Sequence, residues 1–388
     1  MSKSLLNYNR FSLASSYAIA LFFVSVLWLF IGICFLITEI LAILLYRSKK
    51  PKSSSFQEGL VSITIVNLNS KNYIVDCLES IKKQKYPKVE IIIVDNNSTD
   101  GSLECIESFL SRCSIEAKII KNKTNVGFSR AHNQGIRISR GEYFLPLNFD
   151  VLISERFILN MVEEMEADSR VGISSGKLLN IPQKSIIDTA GVFLKDLFCC
   201  DRGQGQADEG QYEKKEYIFG ASGCAPFYRR NMLEDVRFRN EYFDETFNTY
   251  VEDVDLSWRS QIYDWKCLYN PRATGYHYRG ATRVNNSKAL TNYFIQGFRN
   301  RYLMILKNLL LVSFLRNFTS LMSAEIKFWT LNFSIKRSFY AKFIPGFIFL
   351  SPAVLIKRVS ILQNAKVSSR EIESALFVQD CQNFINKP

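Results

Sequence analysis

Asn148 and Asp150 close an otherwise apolar run, Tyr143-Phe144-Leu145-Pro146-Leu147-Asn148-Phe149-Asp150. A run of this length reads as a buried strand, here expected to continue to Asp150. Ligands of an open parallel sheet bind beyond the carboxyl ends of its strands. A carboxylate placed there costs desolvation unless a cation, a donor or water satisfies it. Asp150 therefore reads as a metal ligand or as a turn and cap before the helix near Phe157. Two more strand ends carry similar chemistry. Val61 to Val66 leads into Asn67-Leu68-Asn69, and Val89 to Val94 leads into Asp95-Asn96-Asn97-Ser98-Thr99-Asp100-Gly101. Asp, Asn, Ser and Gly at that density mark a tight turn and a helix cap. In a parallel sheet Asn67, Asp95, Asn148 and Asp150 share one rim, which reads as a binding site and not as separate caps.

A second acidic group lies in Tyr250-Val251-Glu252-Asp253-Val254-Asp255-Leu256-Ser257-Trp258-Arg259. On a helix Glu252 and Asp255 share a face, while Asp253 points elsewhere. Such acids either do chemistry or complement the helix dipole. Arg130 is placed to meet phosphate in forked geometry, or to lie on a solvated helix face. His132 reads as a core or surface histidine. Gly220-Ala221-Ser222-Gly223-Cys224-Ala225 gathers small residues, which lets a ligand or another element approach the backbone. No GxxxxGK[ST] or GxGxxG pattern is present, so a P-loop or dinucleotide site is not supported.

The elements that must position these groups alternate. Strands at 61–66, 89–94, 117–120 and 143–150 are separated by helical spacing around 73–81 and 103–110. That order predicts βαβ units and a mostly parallel sheet of the α/β class. Leu197 to Glu216 is polar and contains glycines, which predicts a mobile loop over the site or a passive surface loop.

From Val61 to Arg283 the chain resembles glycosyltransferase family 2, which has the GT-A fold. The resemblance rests on Val66-Asn67-Leu68-Asn69, Val94 to Gly101, Asn125-Val126-Gly127-Phe128, Leu147-Asn148-Phe149-Asp150, Glu252-Asp253 and His277-Tyr278-Arg279-Gly280. It is similar to the rhamnosyltransferase-like, membrane-associated members in having Asn148 where the first Asp of an Asp-x-Asp signature would stand. The resemblance implies donor contacts from Asn67, Asn69, Asp95, Asn97, Asn125, Arg130 and Asn148, with Asp95 reading the nucleoside. It implies Asp150 and His277 as ligands of a divalent cation, Mg²⁺ or Mn²⁺. Asp253 would be the base that takes the acceptor hydroxyl proton, with Gly223, Glu252 and Trp258 on the acceptor side. The implied reaction is inverting transfer from a nucleotide sugar, dTDP-rhamnose by resemblance, to a saccharide or lipid-linked saccharide in cell-surface polysaccharide synthesis.

The formal net charge is +12 and the pI about 9.2. This balance suits a membrane surface or an anionic ligand; no nucleic-acid module is recognisable. Nine scattered cysteines without a Cys-x-x-Cys pair suit a reducing setting. Residues 17–46 form an apolar stretch long enough for one membrane helix after a tail of 1–16. Arg47, Lys49, Lys50 and Lys52 in the linker 47–60 place the catalytic part, 61–290, on the cytoplasmic face. Residues 291–358 are expected to be basic amphipathic helices on the membrane or core helices, with no second span. A polar tail, 359–388, ends the chain. A catalytically silent scaffold and a nucleotidyltransferase are the alternatives; the retained Asp150 and Asp253 oppose the first. The lack of a Gly-rich phosphate loop after Val66 opposes the second.

Overall fold

A computed structural model of the chain describes residues 3–45, 56–181, 183–279, 287–331 and 337–376. The expected basic cluster Arg47–Lys52, and Gly280 and Arg283 of the expected motif region, lie outside the described residues. Two compact units divide the chain: Met1–Ser48 with Asn292–Gln363, and Lys49–Thr291 with Asn364–Pro388.

In chain order α1 (Lys3–Leu44) opens the first unit. The second unit follows with β1 (Gln57–Asn67), α2 (Ile74–Lys82), β2 (Val89–Asp95), α3 (Ser102–Leu110), β3 (Glu116–Lys121) and α4 (Phe128–Ile138). It continues through β4 (Gly141–Pro146), β5 (Val151–Ile153), α5 (Phe157–Ala167), β6 (Val171–Asn180), β7 (Ile187–Thr189), β8 (Val192–Lys195) and β9 (Phe198–Asp201). Then come β10 (Glu216–Ile218), β11 (Phe227–Arg229), α6 (Arg230–Val236), α7 (Glu252–Ile262) and β12 (Lys266–His277). The remaining helices are α8 (Ser287–Asn308), α9 (Leu311–Arg316), α10 (Phe318–Leu331), α11 (Arg337–Asn364) and α12 (Ser369–Leu376).

The main sheet has the order β10-β12-β6-β11-β4-β1-β2-β3. β4, β1, β2 and β3 run parallel, as their βαβ spacing predicts. β11 joins β4 to β6 antiparallel, and β12 returns parallel to β6. Val61, Ile63 and Ile65 of β1 are fully buried, with Ile91, Ile93 and Leu145 beside them in one core cluster. Burying each such side chain contributes about 1.5–3 kcal/mol, which fixes the register. That register sets Asn67 opposite Asp95 and Asp95 opposite Lys121, so the polar strand ends do share a rim.

The fourth strand differs from expectation. β4 stops at Pro146, and Asp150 follows a turn closed by the Val151 N–H on the Asn148 carbonyl. Proline has no N–H to extend the ladder, so the strand breaks there. The chain resumes as β5, which pairs antiparallel with β12 and sets Val151 opposite His277. The cap alternative for Asp150 also fails: the cap position of α5 is Arg156.

The first unit is helical. Its α1 begins at Lys3, so the expected tail 1–16 is helical from there on. Within it Leu21–Leu44 is long and apolar enough to cross a membrane, and so is Lys342–Asn364 in α11. The second candidate corrects the expectation that 291–358 holds no such stretch. Pro345 and Pro352 interrupt the sequence pattern, yet the helix runs through them; packed neighbours can satisfy the backbone groups that proline frees.

Candidate active site

The donor-side rim is built from interlocked turns. Asp95 is buried, and its carboxylate accepts from Asn67 Nδ2 at 2.7 Å, Ser98 Oγ at 2.6 Å and the N–H groups of Asn97 and Ser98 at 3.1 and 3.2 Å. Asn67 is fully buried and also donates to Ser98 and Ser102, so it holds the rim from beneath and does not face a ligand. Asn69 and Asn97 are exposed in left-handed backbone conformations, with φ 53° and 68°. The Asn69 Oδ1 accepts the Thr99 N–H at 2.8 Å, tying the two turns together. Asn125 Oδ1 accepts the Gly127 N–H at 2.9 Å at the start of α4. Arg130 pairs with Glu245 at 2.9 Å on a half-exposed helix face. His132 is an interior residue against Phe128, and burial lowers its imidazole to about 3.

Beside this rim the β5–β12 pairing makes a line of charged groups. Asp150 is 6% exposed, and its Oδ1 stands 3.4 Å from His277 Nε2. The other ring nitrogen, Nδ1, meets Asp188 Oδ2 at 2.8 Å. Arg279 donates to Asp188 through Nε and to Asp201 through Nη2, the latter at 2.7 Å. Burial alone would lower the His277 imidazole, but Asp150 and Asp188 raise it to about 9. Burial pushes the Asp188 carboxyl up, yet His277 and Arg279 outweigh it and hold it below its ordinary value. The Asp150–His277 spacing is long for a hydrogen bond and suits two ligands of one divalent cation. A carboxylate on the far nitrogen is what orients a metal-binding histidine. Asp188, Cys224 and His277 also offer ligand atoms within 4.8 Å of one another. Because Nδ1 is already engaged by Asp188, the Asp150 side of the ring is the better fit. Asn148 is half-exposed on the same turn, its N–H fixed on the Cys224 carbonyl at 2.9 Å.

The third group is the N-terminus of α7. Tyr250 and Val251 enter it with φ 73° and 75°. Left-handed backbone is unusual for a β-branched residue and costs about 1–3 kcal/mol, so the surroundings must impose it. Asp253 Oδ2 accepts the Gly223 N–H at 2.6 Å and Oδ1 accepts the Val254 N–H at 2.8 Å. Burial pushes the Asp253 carboxyl up to about 6 against these two donors, and Asp201 adds to the rise. Glu252 is buried, and burial together with Asp253 keeps it protonated well above the ordinary range. Asp255 is paired inside the fold with Arg259 at 3.0 Å. Trp258 is 0% exposed against Phe219, so it supports α7 from within and cannot touch an acceptor; this corrects its acceptor-side reading. Gly223 donates its N–H to Asp253, and a Cβ at Gly220 would strike Ser257 at 2.4 Å, so close packing within the fold explains these two glycines.

The stretch expected as a mobile loop is held down. It starts as the β8–β9 hairpin. Arg202 lies over the rings of Tyr212 and Tyr269 at 5.1 and 5.4 Å, and buried Lys177 pairs with Asp208 at 2.9 Å and with Glu213. Sequence reasoning missed Asp188, Arg279 and Asp201. The signal for Arg279 was its place two residues after His277; Asp188 stands alone in a short strand and carries no such signal.

Residues 62–237 match the family described as Glycosyl transferase family 2. Poly-beta-1,6-N-acetyl-D-glucosamine synthase of Staphylococcus epidermidis is 27% identical over 229 residues, 58% of this chain and 52% of that protein. Glycosyltransferase GlyG of Streptococcus pneumoniae is 33% identical over 116 residues, 29% of this chain and 38% of that protein. The chain thus spans about half or less of the length of these curated relatives. The crystal structure of S. aureus TarS 1-349 in complex with UDP-GlcNAc is similar at TM-score 0.51 and 17% identity, covering 81% of this chain and 91% of that one. Residues 62–237 are thus similar to glycosyl transferase family 2, and the fold is of the GT-A type.

Proposed function

We propose that the chain is an inverting, metal-dependent glycosyltransferase. The observation that carries the reading is Asp253: a carboxylate with a raised proton affinity, fixed by two backbone donors at the start of α7. A base poised near the operating pH removes a proton most effectively. Asp253 takes the proton of an acceptor hydroxyl as that oxygen bonds to the anomeric carbon. The nucleoside diphosphate leaves from the opposite face, which inverts the centre. Asp150 and His277 would hold a divalent cation, which supplies charge neutralisation for the departing diphosphate. Asp188 and Arg279 fix the imidazole from behind. Asn69, Asn97, Asn125 and Asn148 remain candidate donor contacts on the rim, with Asp95 and Asn67 shaping it.

The resemblance suggests dTDP-rhamnose as donor. A second reading, UDP-N-acetylglucosamine, is favoured by the staphylococcal proteins it resembles, a poly-beta-1,6-N-acetyl-D-glucosamine synthase and TarS in complex with UDP-GlcNAc. The acceptor is a saccharide or lipid-linked saccharide, since apolar helices would confine enzyme and lipid-linked acceptor to one surface. The sequence suggests one crossing by α1 with the catalytic unit in the cytoplasm. The test is nucleotide-sugar turnover by the purified chain with a donor panel, membrane-lipid acceptors, and Mg²⁺ or Mn²⁺ against a chelator. Consumption of one donor that stops with chelation supports the reading; no binding or turnover of any donor rejects it.

A further inference from the structure

We infer that the seam between α8 and α11 binds the phosphate of an anionic lipid, held by Arg299 together with Lys342. The inference begins with charge. Residues 292–363 contain ten lysines and arginines and one acid, Glu325, and residues 1–48 add only Glu39. Both acids are already engaged. Glu325 pairs with Arg301 at 2.6 Å and accepts the Tyr302 hydroxyl. Glu39 lies 3.4 Å from Arg358, whose guanidinium also donates to the Thr38 hydroxyl at 2.8 Å and to the Leu309 carbonyl at 2.6 Å. The other cations of the helical unit have no carboxylate of that unit left to meet, so their counter-charge is external to it.

Arg299 of α8 is one of these cations, and it is half-buried. Its Nη2 donates to its chain neighbour Asn300 at 3.1 Å, while its Nε is buried and has no acceptor among the described residues. A charged donor left unmet away from water is costly. Gly346 of α11 lets the side chain lie close against that helix: a Cβ there would stand 3.2 Å from Arg299 Cδ and 3.5 Å from its Nη1. One turn earlier on α11, Lys342 Nζ donates to Asn292 Oδ1 of α8 at 2.9 Å. Tyr302 then packs on Phe347 with centroids 6.4 Å apart. Asn292, Arg299 and Tyr302 thus follow Lys342, Gly346 and Phe347 in the same order, so the two helices run parallel. Both cations reach the same seam, at points about 6 Å apart along α11.

The chemistry of the seam selects phosphate. A guanidinium fork takes two phosphate oxygens, and an ammonium adds a point charge for a third. The position selects a lipid as its source. Lys342 opens the stretch Lys342–Asn364, which is long and apolar enough to cross a membrane, so the cations stand at the polar end of an apolar helix. Phosphate headgroups lie at that level, and basic pockets between such helices hold them. Phe294 on α8 and Ile344 and Ile348 on α11 are exposed and offer apolar surface to the lipid chains. A phospholipid and the diphosphate carrier of a lipid-linked acceptor share this chemistry. The inference rests on the membrane reading of these helices and not on the role of Asp253.

The test is native mass spectrometry of the full chain in neutral detergent, titrated separately with phosphatidylglycerol, a long-chain prenyl diphosphate and diacylglycerol. A phosphate lipid should be retained and diacylglycerol should not. Tighter retention of the prenyl diphosphate assigns the seam to the acceptor carrier; tighter retention of phosphatidylglycerol assigns it to a phospholipid. Arg299→Gln should weaken retention of the preferred lipid by about tenfold or more, with Arg299→Lys between it and the native chain. Lys342→Gln, on an exposed side chain, should weaken it by a smaller factor and keeps the test decisive where Arg299→Gln does not fold. Retention of neither phosphate lipid, equal retention of diacylglycerol, or native retention in Arg299→Gln or in Lys342→Gln overturns the inference. No readout involves donor or turnover, so failure of this site and failure of the transferase reading are told apart.

Discussion

The backbone N–H of Gly223 meets Oδ2 of Asp253 at 2.6 Å, and a Cβ at Gly223 would lie 3.0 Å from that same oxygen. Gly223→Ala should therefore disturb the proposed base without touching the donor rim. Asp253→Asn should lower transfer by about 10²- to 10⁴-fold, the usual contribution of a general base. Gly223→Ala should fall between this variant and the native chain. Donor binding by calorimetry should stay within about twofold in both. Undiminished transfer by Asp253→Asn removes Asp253 from the mechanism.

The Asp253 carboxyl rises from its ordinary 3.8 to about 6. Transfer should therefore fall as pH drops through about 6, because the base becomes protonated. The same shift affects stability in the opposite sense. A carboxyl with a folded pKa above its unfolded value costs nothing while protonated in both states. Its cost grows between 3.8 and about 6 and is full above that range. Asp253→Asn should thus stabilise the fold by up to about 3 kcal/mol at neutral pH and by nothing near pH 3. Denaturant titrations at the two pH values check this, and equal effects at both would contradict it.

Asp188 engages the Nδ1 of His277 and has no place on the proposed cation. Asp188→Asn should weaken Mn²⁺ affinity by about 10- to 100-fold, as loss of an orienting carboxylate does. Metal titration followed by calorimetry reads the change. An unchanged affinity would mean that His277 does not ligate.

Lys177 neutralises Asp208 and Glu213 from a buried position. Lys177→Met leaves both carboxylates without their cation and should destabilise the chain by about 3 kcal/mol. Limited proteolysis should then cut between Gly203 and Glu213, where the native chain resists.

Gly127 adopts φ 84° and ψ 170°, a region open essentially to glycine alone, and a Cβ there would lie 1.7 Å from Asn248 Oδ1. Gly127→Ala should cost about 3 kcal/mol or more. Adding Asn248→Ala should return only part of this, since it removes the clash and leaves the strain. Thermal melts of the single and double variants measure the split.

The parallel half of the sheet was legible because β1 and β2 are apolar runs that end abruptly in Asn67 and Asp95. Asp150 and Asp253 were legible as carboxylates at element ends. What was hidden depends on long-range pairing. Nothing local announces that Asp188 meets His277 across 89 residues, or that Glu245 claims Arg130 across 115. Trp258 looked available beside an acidic motif, yet helical spacing turns it inward. The 202–216 stretch has a loop's composition, and its rigidity comes from Lys177 on β6, remote in sequence.

The Thr38–Arg358 bond joins residues 320 apart in sequence. On a ribosome working at about 5–20 residues per second, α1 is made about 15–60 s before its partner helix exists. Until α9 and α10 follow, its apolar flank has no packed helix beside it, and the part that meets α11 stays bare through the whole interval. Synthesis of this chain therefore requires an early escort for α1, a membrane or a chaperone, and a truncation before α11 should leave an aggregating product even where the catalytic unit has folded.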